Sequence, residues 1–195
     1  MLGSPAFTNV TTSVWVKFDD VSVDQSVLVH SAGDPQLKFS HAILLIGGKI
    51  SGYFYDGNPR TLTGPIASPG AWYHVVLMAA TNGSARLFVN GTEVASTSIN
   101  VIYSSGSSWH VGHAANSGAW GYLRGTVDDV RIWGSALSGT DVSALYNAGS
   151  AMCATVQAPY LWWALDDGAG SIATDSTGYS HDGTLTNGPT CLLYT

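Results

Sequence analysis

An all-β fold, two antiparallel sheets packed face to face with one short helix, is what this 195-residue sequence predicts. Three observations carry the prediction. Short segments alternate apolar and polar side chains with a period of two, the pattern of strands with one buried face. Pairs such as Asn82-Gly83 and Asn90-Gly91 punctuate them, and such pairs accept the positive φ of tight hairpin turns. The composition is poor in charge and rich in turn formers, with 10% charged residues, 23 Gly, and Glu93 as the single Glu among 13 acids. Aspartate caps and turns chains where glutamate favours helix interiors, so this bias also fits strands and turns.

In chain order, Ser13–Phe18 alternates, with Val14, Val16 and Phe18 on one face and Trp15 and Lys17 on the other. Val27–His30 is a second short strand. Ala42–Ile46 is a continuous apolar run ended by Gly47-Gly48, a strand buried on both faces or one led into a tight turn. Lys49–Tyr55 alternates up to Asp56-Gly57. After Pro69-Gly70 comes a strand at Trp72–Met78, and Asn82-Gly83 then leads into Ala85–Val89. Asn90-Gly91 returns the chain along Thr92–Ser96. Trp109–His113 follows, then a loop of small residues over 114–121. In Gly125–Trp133 strict alternation puts Asp128, Val130 and Ile132 on one face and Asp129, Arg131 and Trp133 on the other. A helix comes next: Ser138 is its N-cap with Asp141 three residues on, and Leu137 staples onto Val142. Val142, Leu145 and Tyr146 line its apolar side, and Gly149 stops it. Trp15, Trp72 and Trp133 read as core. Of the adjacent pair Trp162 and Trp163, one must face away from it.

Gly125–Trp133 and the helix after it resemble the closing unit of the laminin G-like, concanavalin A-like lectin-glucanase jelly rolls. There the strand reads roughly Gly-x-Ile-Asp-Asp-Val-Arg-Ile-Tyr and the helix Ala-Leu-Ser-x-x-Glu-Val-x-x-Leu-Tyr. Ser13–Phe18 and Trp72–Met78 are similar to two further strands of that family. The resemblance implies a jelly-roll sandwich with residues 1–150 as its body. Tyr160–Gly170 and Asp175–Leu185 resemble the way such a jelly roll begins, yet here they come last. Segment 151–195 is therefore expected to supply the opening strand of the same domain, as in a circular permutation. The alternatives are strand exchange into a second copy, giving a homo-oligomer, and the start of another repeat. Cys153 and Cys191, 38 residues apart, bracket this segment, either as a disulfide or as two separate thiols.

The formal charge of -6, with seven Lys plus Arg, argues against a nucleic-acid partner. No apolar run approaches the ~20 residues of a membrane helix, so membrane insertion is not expected. Met1–Pro5 has neither the basic start nor the apolar core of a secretory signal. The expectation is a piece of a larger extracellular or cell-surface protein.

Sugar rings stack on aromatic faces while Asn, Asp, Arg and His fix hydroxyls. Candidates for a carbohydrate or cell-surface glycan are Tyr53, Tyr55, Arg60, Trp109, His110, His113, Asn116, Trp120 and Tyr122, with Trp120 and Tyr122 expected to be exposed. The resemblance further implies a structural Ca²⁺, which takes six to eight oxygens. Its ligands would be Asp128, or Asp129 if the strand faces the other way, together with Asp166, Asp175 and Asp182. The alternative pairs Asp128 or Asp129 with Arg131 or Arg124 and leaves the loop aspartates to form turns.

Glycosidases of this fold resemble Glu-x-Asp-x-x-Glu on an inner strand, which a chain with one Glu cannot carry. A non-catalytic, lectin-like binding or adhesion module is expected. The competing readings are a structural module assembled by strand exchange and a glycan-active hydrolase or lyase domain.

Overall fold

The computed structural model describes residues 9–31, 39–56, 58–80, 83–99, 108–113, 120–149 and 156–186. Its elements in order are β1 (Val10–Phe18), β2 (Gln25–Ser31), β3 (Phe39–Ile46), β4 (Lys49–Tyr55), β5 (Pro59–Ile66), β6 (Trp72–Ala80), β7 (Ser84–Val89), β8 (Thr92–Ser98), β9 (Ser108–Val111), β10 (Gly125–Trp133), α1 (Gly139–Ala148), β11 (Leu161–Trp163), β12 (Ile172–Ala173) and β13 (Gly183–Thr184). A six-stranded sheet runs β11-β10-β1-β6-β7-β8, and a five-stranded sheet runs β5-β4-β3-β2-β9. Neighbouring strands in both are antiparallel.

Alternation builds the core between the sheets. Val14, Val16 and Phe18 of β1, Val75 and Leu77 of β6 and Leu87 of β7 meet Leu28 of β2, Ile43 and Leu45 of β3 and Phe54 of β4. Each such side chain, fully buried, stabilises the fold by about 1.5–3 kcal/mol. A buried polar bridge joins the layers, a 2.7 Å hydrogen bond between Thr12 Oγ1 and His41 Nε2. The expected hairpin turn is present, with Asn90 at φ 50° and Gly91 at φ 77°.

Helix α1 packs on the outer face of the six-stranded sheet, where Trp133, Leu137, Val142 and Leu145 join Val76, Met78 and Phe88. Ser138 Oγ accepts from the Asp141 N–H at 3.1 Å and Asp141 Oδ2 accepts from the Ser138 N–H at 2.9 Å, closing a capping box.

Strand β5 was not among the expected strands. Its Pro59, Gly64 and Pro65 read as turn formers, and the strand survives because it lies at a sheet edge, where a missing N–H breaks no ladder. Trp133 is buried as expected, its Nε1 donating to Gln157 O at 2.7 Å. Trp15 and Trp72 are not core. Trp15 is half-buried on the helix side, stacked on Tyr146 at 5.8 Å, and Trp72 is half-buried beneath the Lys17 ammonium at 5.4 Å.

Strict alternation also fails in β10. Ser13 pairs with Arg131 and Trp15 with Asp128, so Val14 alone spans Asp129 and Val130. That is a β-bulge, and Asp129 carries it at φ 52°. The extra residue moves Asp128 away from the face of Val130 and Ile132. Asp128, Asp129 and Arg131 therefore all lie off the core.

The C-terminal segment pairs with β10 through Ile132↔Leu161, Arg131↔Trp162 and Val130↔Trp163. Leu161, Trp163 and Ala173 belong to the core between the sheets, and Trp163 Nε1 donates to His181 O at 2.8 Å. Of the two adjacent tryptophans, Trp162 is the one facing away.

Candidate functional site

The outer face of the five-stranded sheet carries a second apolar surface. Register aligns Thr61, Tyr53, Ala42, Val29 and His110 in one row across all five strands. The next row holds Thr63, Ser51, Leu44 and Ser26. Val29, Ala42, Leu44 and Tyr53 form a buried cluster, and Ile46, Tyr55 and Trp120 pack against it. The Trp120 ring meets Tyr53 edge-on, centroids 5.1 Å apart at 67°. Burial, then the neighbouring Tyr55, pushes the Tyr53 phenol above its usual range. Ser26 is fully buried on this face, and its Oγ has no hydrogen-bond partner among the described residues.

Backbone bonds hold the segment that brings Trp120 here. Gly121 donates to Asp24 O at 3.1 Å and accepts from the Ser26 N–H at 3.0 Å, and Leu123 N donates to Gly112 O at 2.8 Å. Tyr122 follows, 61% exposed, stacked on the His113 imidazole at 4.1 Å and 16°. His110, half-buried, is held below the usual histidine range by burial and then by His113, so it is neutral near pH 7. A neutral imidazole offers a donor and an acceptor, and a planar exposed ring offers a stacking surface.

Among the expected ligand residues, the fold brings Tyr53, Tyr55, Trp120 and His110 to this face, with Tyr122 and His113 stacked alongside. Trp109 lies on the opposite side of its strand, packed against the core and 4.4 Å from the His30 ring. Arg60 pairs in register with the core residue Phe54 and reaches Asp56 at 3.4 Å. Asn116, Cys153 and Cys191 lie outside the described residues. Sequence reasoning passed over Ser26, Thr61 and Thr63. The threonines lie on the unexpected β5, and only register aligns Ser26 with Leu44.

The acids gather elsewhere, around the junction of β10 and β11. Asp129 Oδ1 accepts from Arg131 Nε at 2.8 Å and from Trp162 Nε1 at 2.6 Å. Asp129 and Arg131 are 2% and 3% exposed, and the guanidinium lies over the Trp162 ring at 4.5 Å. Burial lifts the Asp129 carboxyl to about 6 against the pull of Arg131 and Trp162. Asp128 is raised by burial and further by Asp166, while the Asp129 N–H and Arg131 act the other way.

The Asp175 carboxylate accepts from the N–H groups of Trp162, Thr177 and His181 and from the Thr177 hydroxyl, at 2.7–3.1 Å. Burial pushes that group up, but the Thr177 hydroxyl and the three N–H groups outweigh it and hold it below the usual carboxylate range. Asp182 Oδ1 accepts from Asp175 N at 2.8 Å. No group of three His, Cys, Asp or Glu among the described residues is arranged to hold a metal ion. A hard cation needs free oxygens, and the carboxylates of Asp129 and Asp175 are engaged by protein donors.

Residues 3–143 of this sandwich match the model of a known family, described as the concanavalin A-like lectin/glucanases superfamily. The chain belongs to that superfamily. No curated protein matches it.

Among solved structures, this concanavalin A-like chain is similar to a heptameric SAP-like pentraxin from Limulus polyphemus, with a TM-score of 0.62 and 18% identity over 75% of this chain and 73% of that one. It is also similar to a Bacteroides ovatus protein assigned to carbohydrate binding, with a TM-score of 0.67 and 15% identity over 92% of this chain. A third similar structure is the Trypanosoma rangeli sialidase, with a TM-score of 0.59 and 16% identity over 72% of this chain. The chain spans 54% of the Bacteroides protein and 22% of the sialidase. At these identities the likeness concerns the fold.

Proposed function

We propose that this domain binds carbohydrate, without catalysis, through the aromatic surface formed by Tyr53, Tyr55, Trp120 and Tyr122 with His110 and His113, as a module of an extracellular or cell-surface protein. The observation that carries the reading is the exposed Tyr122 ring, held flat against His113 at 4.1 Å and following directly on the Trp120–Tyr53 contact. A ring fixed before binding loses little rotamer freedom when a pyranose stacks on it. The half-buried His110 supplies directed hydrogen bonds beside it. The two register rows of this face carry hydroxyl, imidazole and apolar groups and no carboxylate, whereas glycoside hydrolysis calls for a pair of acids. The superfamily, which takes in lectins and glucanases, and the Bacteroides neighbour favour carbohydrate as the class of ligand.

A glycan array on the intact chain, followed by calorimetry on any hit, tests it. Tyr122→Ala and Trp120→Ala are each expected to weaken binding roughly tenfold or more, the scale of losing an anchoring aromatic contact. Unchanged affinity in both variants removes this surface as the site. Turnover of a polysaccharide would overturn the non-catalytic reading.

A further inference from the structure

The chemistry at the β10–β11 junction is independent of the sugar surface. Asp129 is forced off the core by the bulge and becomes a buried anion, and its partner Arg131 is a buried cation on the same strand. Such a pair persists only if its remaining polar atoms are answered and water is kept out. Trp162, delivered by the C-terminal segment through its pairing with Arg131, does both. Its indole N–H donates to the Asp129 oxygen at 2.6 Å while its ring covers the guanidinium at 4.5 Å.

We propose that this Asp129–Arg131–Trp162 clasp, and not a divalent cation, docks the C-terminal segment onto β10. A Ca²⁺ ion at this place would lose the Asp129 oxygen to two N–H donors and would face the charge of Arg131 2.8 Å from that same oxygen. The oxygens of Asp175 are engaged by four donors, all within its own segment, so they fold the loop and do not reach toward the body. Asp128 and Asp166, whose charges couple, are acids for which an ion would still compete.

Hydrogen exchange and thermal melting of the whole chain, each in EDTA and in excess calcium, test the proposal. The wild type is expected to melt at the same temperature and exchange β11 at the same rate in both. Trp162→Phe keeps a ring over Arg131 and removes the N–H. It is expected to exchange the amides of 161–163 and 172–184 roughly tenfold to a hundredfold faster, with β1 and β6 unchanged and no rescue by calcium. A calcium-dependent rise in wild-type melting temperature, abolished by Asp128→Asn or Asp166→Asn, overturns the proposal. So does a Trp162→Phe protein that exchanges like the wild type. If that variant does not fold, the wild-type comparison between EDTA and calcium decides alone.

Discussion

Asp129 shifts the facing of β10, and one residue thereby decides that neither acid of the pair meets the core. With the bulge, Asp128 lies beside Trp15 and Asp129 beside Arg131 on the outer side, while Val130 and Ile132 point inward. The run Val127-Asp-Asp-Val130 satisfies either facing, so alternation alone cannot reveal the insertion. Gly125 is a second residue with a local role. It pairs with Phe18, and a Cβ added there would overlap the backbone carbonyl of Lys17, which has no flexible end to swing aside. Gly125→Ala is expected to destabilise the protein by about 2 kcal/mol in urea denaturation, the scale of overpacking against a fixed neighbour. A loss smaller than about 0.5 kcal/mol, typical of an unconstrained surface change, would show that the ends of β1 and β10 yield there.

Among the elements, α1 follows most directly from local sequence. Its cap, its capping-box partner and its apolar side are contiguous, and the capping hydrogen bonds form as those residues predict. Ser138→Ala removes the acceptor for the Asp141 N–H and is expected to cost about 1 kcal/mol, read from the denaturation midpoint at unchanged slope. Ser138→Asp, which retains an acceptor, is expected to recover most of it. Equal stability of the wild type and Ser138→Ala would mean that packing of Val142 and Leu145 holds the helix without its cap. Strand β5 is the opposite case. Proline and glycine obscure its pattern, and only its place at the edge beside β4 allows them to be strand residues.

Across the whole molecule, buried neutral histidines set the response to acid. Burial lowers His41 to about 3, with His30 adding to it, lowers His30 to about 4, with His110 adding, and lowers His74 to about 4, with Arg131 adding. All three folded values lie below the ordinary 6.5, so between pH 6.5 and about 4 the unfolded chain binds protons that the folded chain refuses. Stability is full above pH 6.5 and falls as the pH drops through that window, by up to ~1.4 kcal/mol per pH unit for each histidine. Asp129, raised to about 6, works in the opposite sense, because the folded chain takes up its proton first. The histidines outnumber it. Denaturation at pH 7 and pH 5 is expected to show a net loss of a few kcal/mol (~3 kcal/mol) at the lower value. His41→Asn is expected to flatten the profile even though it lowers stability at pH 7. Equal stability at the two pH values would mean that these imidazoles are not neutral and buried together.

The sequence by itself determined the class of fold, most strand positions, the helix with its cap, and which aromatic residues are candidates for a binding surface. These follow from periods of two and from contiguous turn and cap chemistry, which act over a few neighbouring residues. Tertiary structure alone decided which aromatics share a face, that Arg60 is drawn to Asp56, that Trp162 and not Trp163 turns outward, and that Asp129 is answered by Arg131 and an indole N–H. Those outcomes depend on register and on a one-residue bulge. Both are set when strands far apart in the chain pair, and shifting either by one residue exchanges inside for outside.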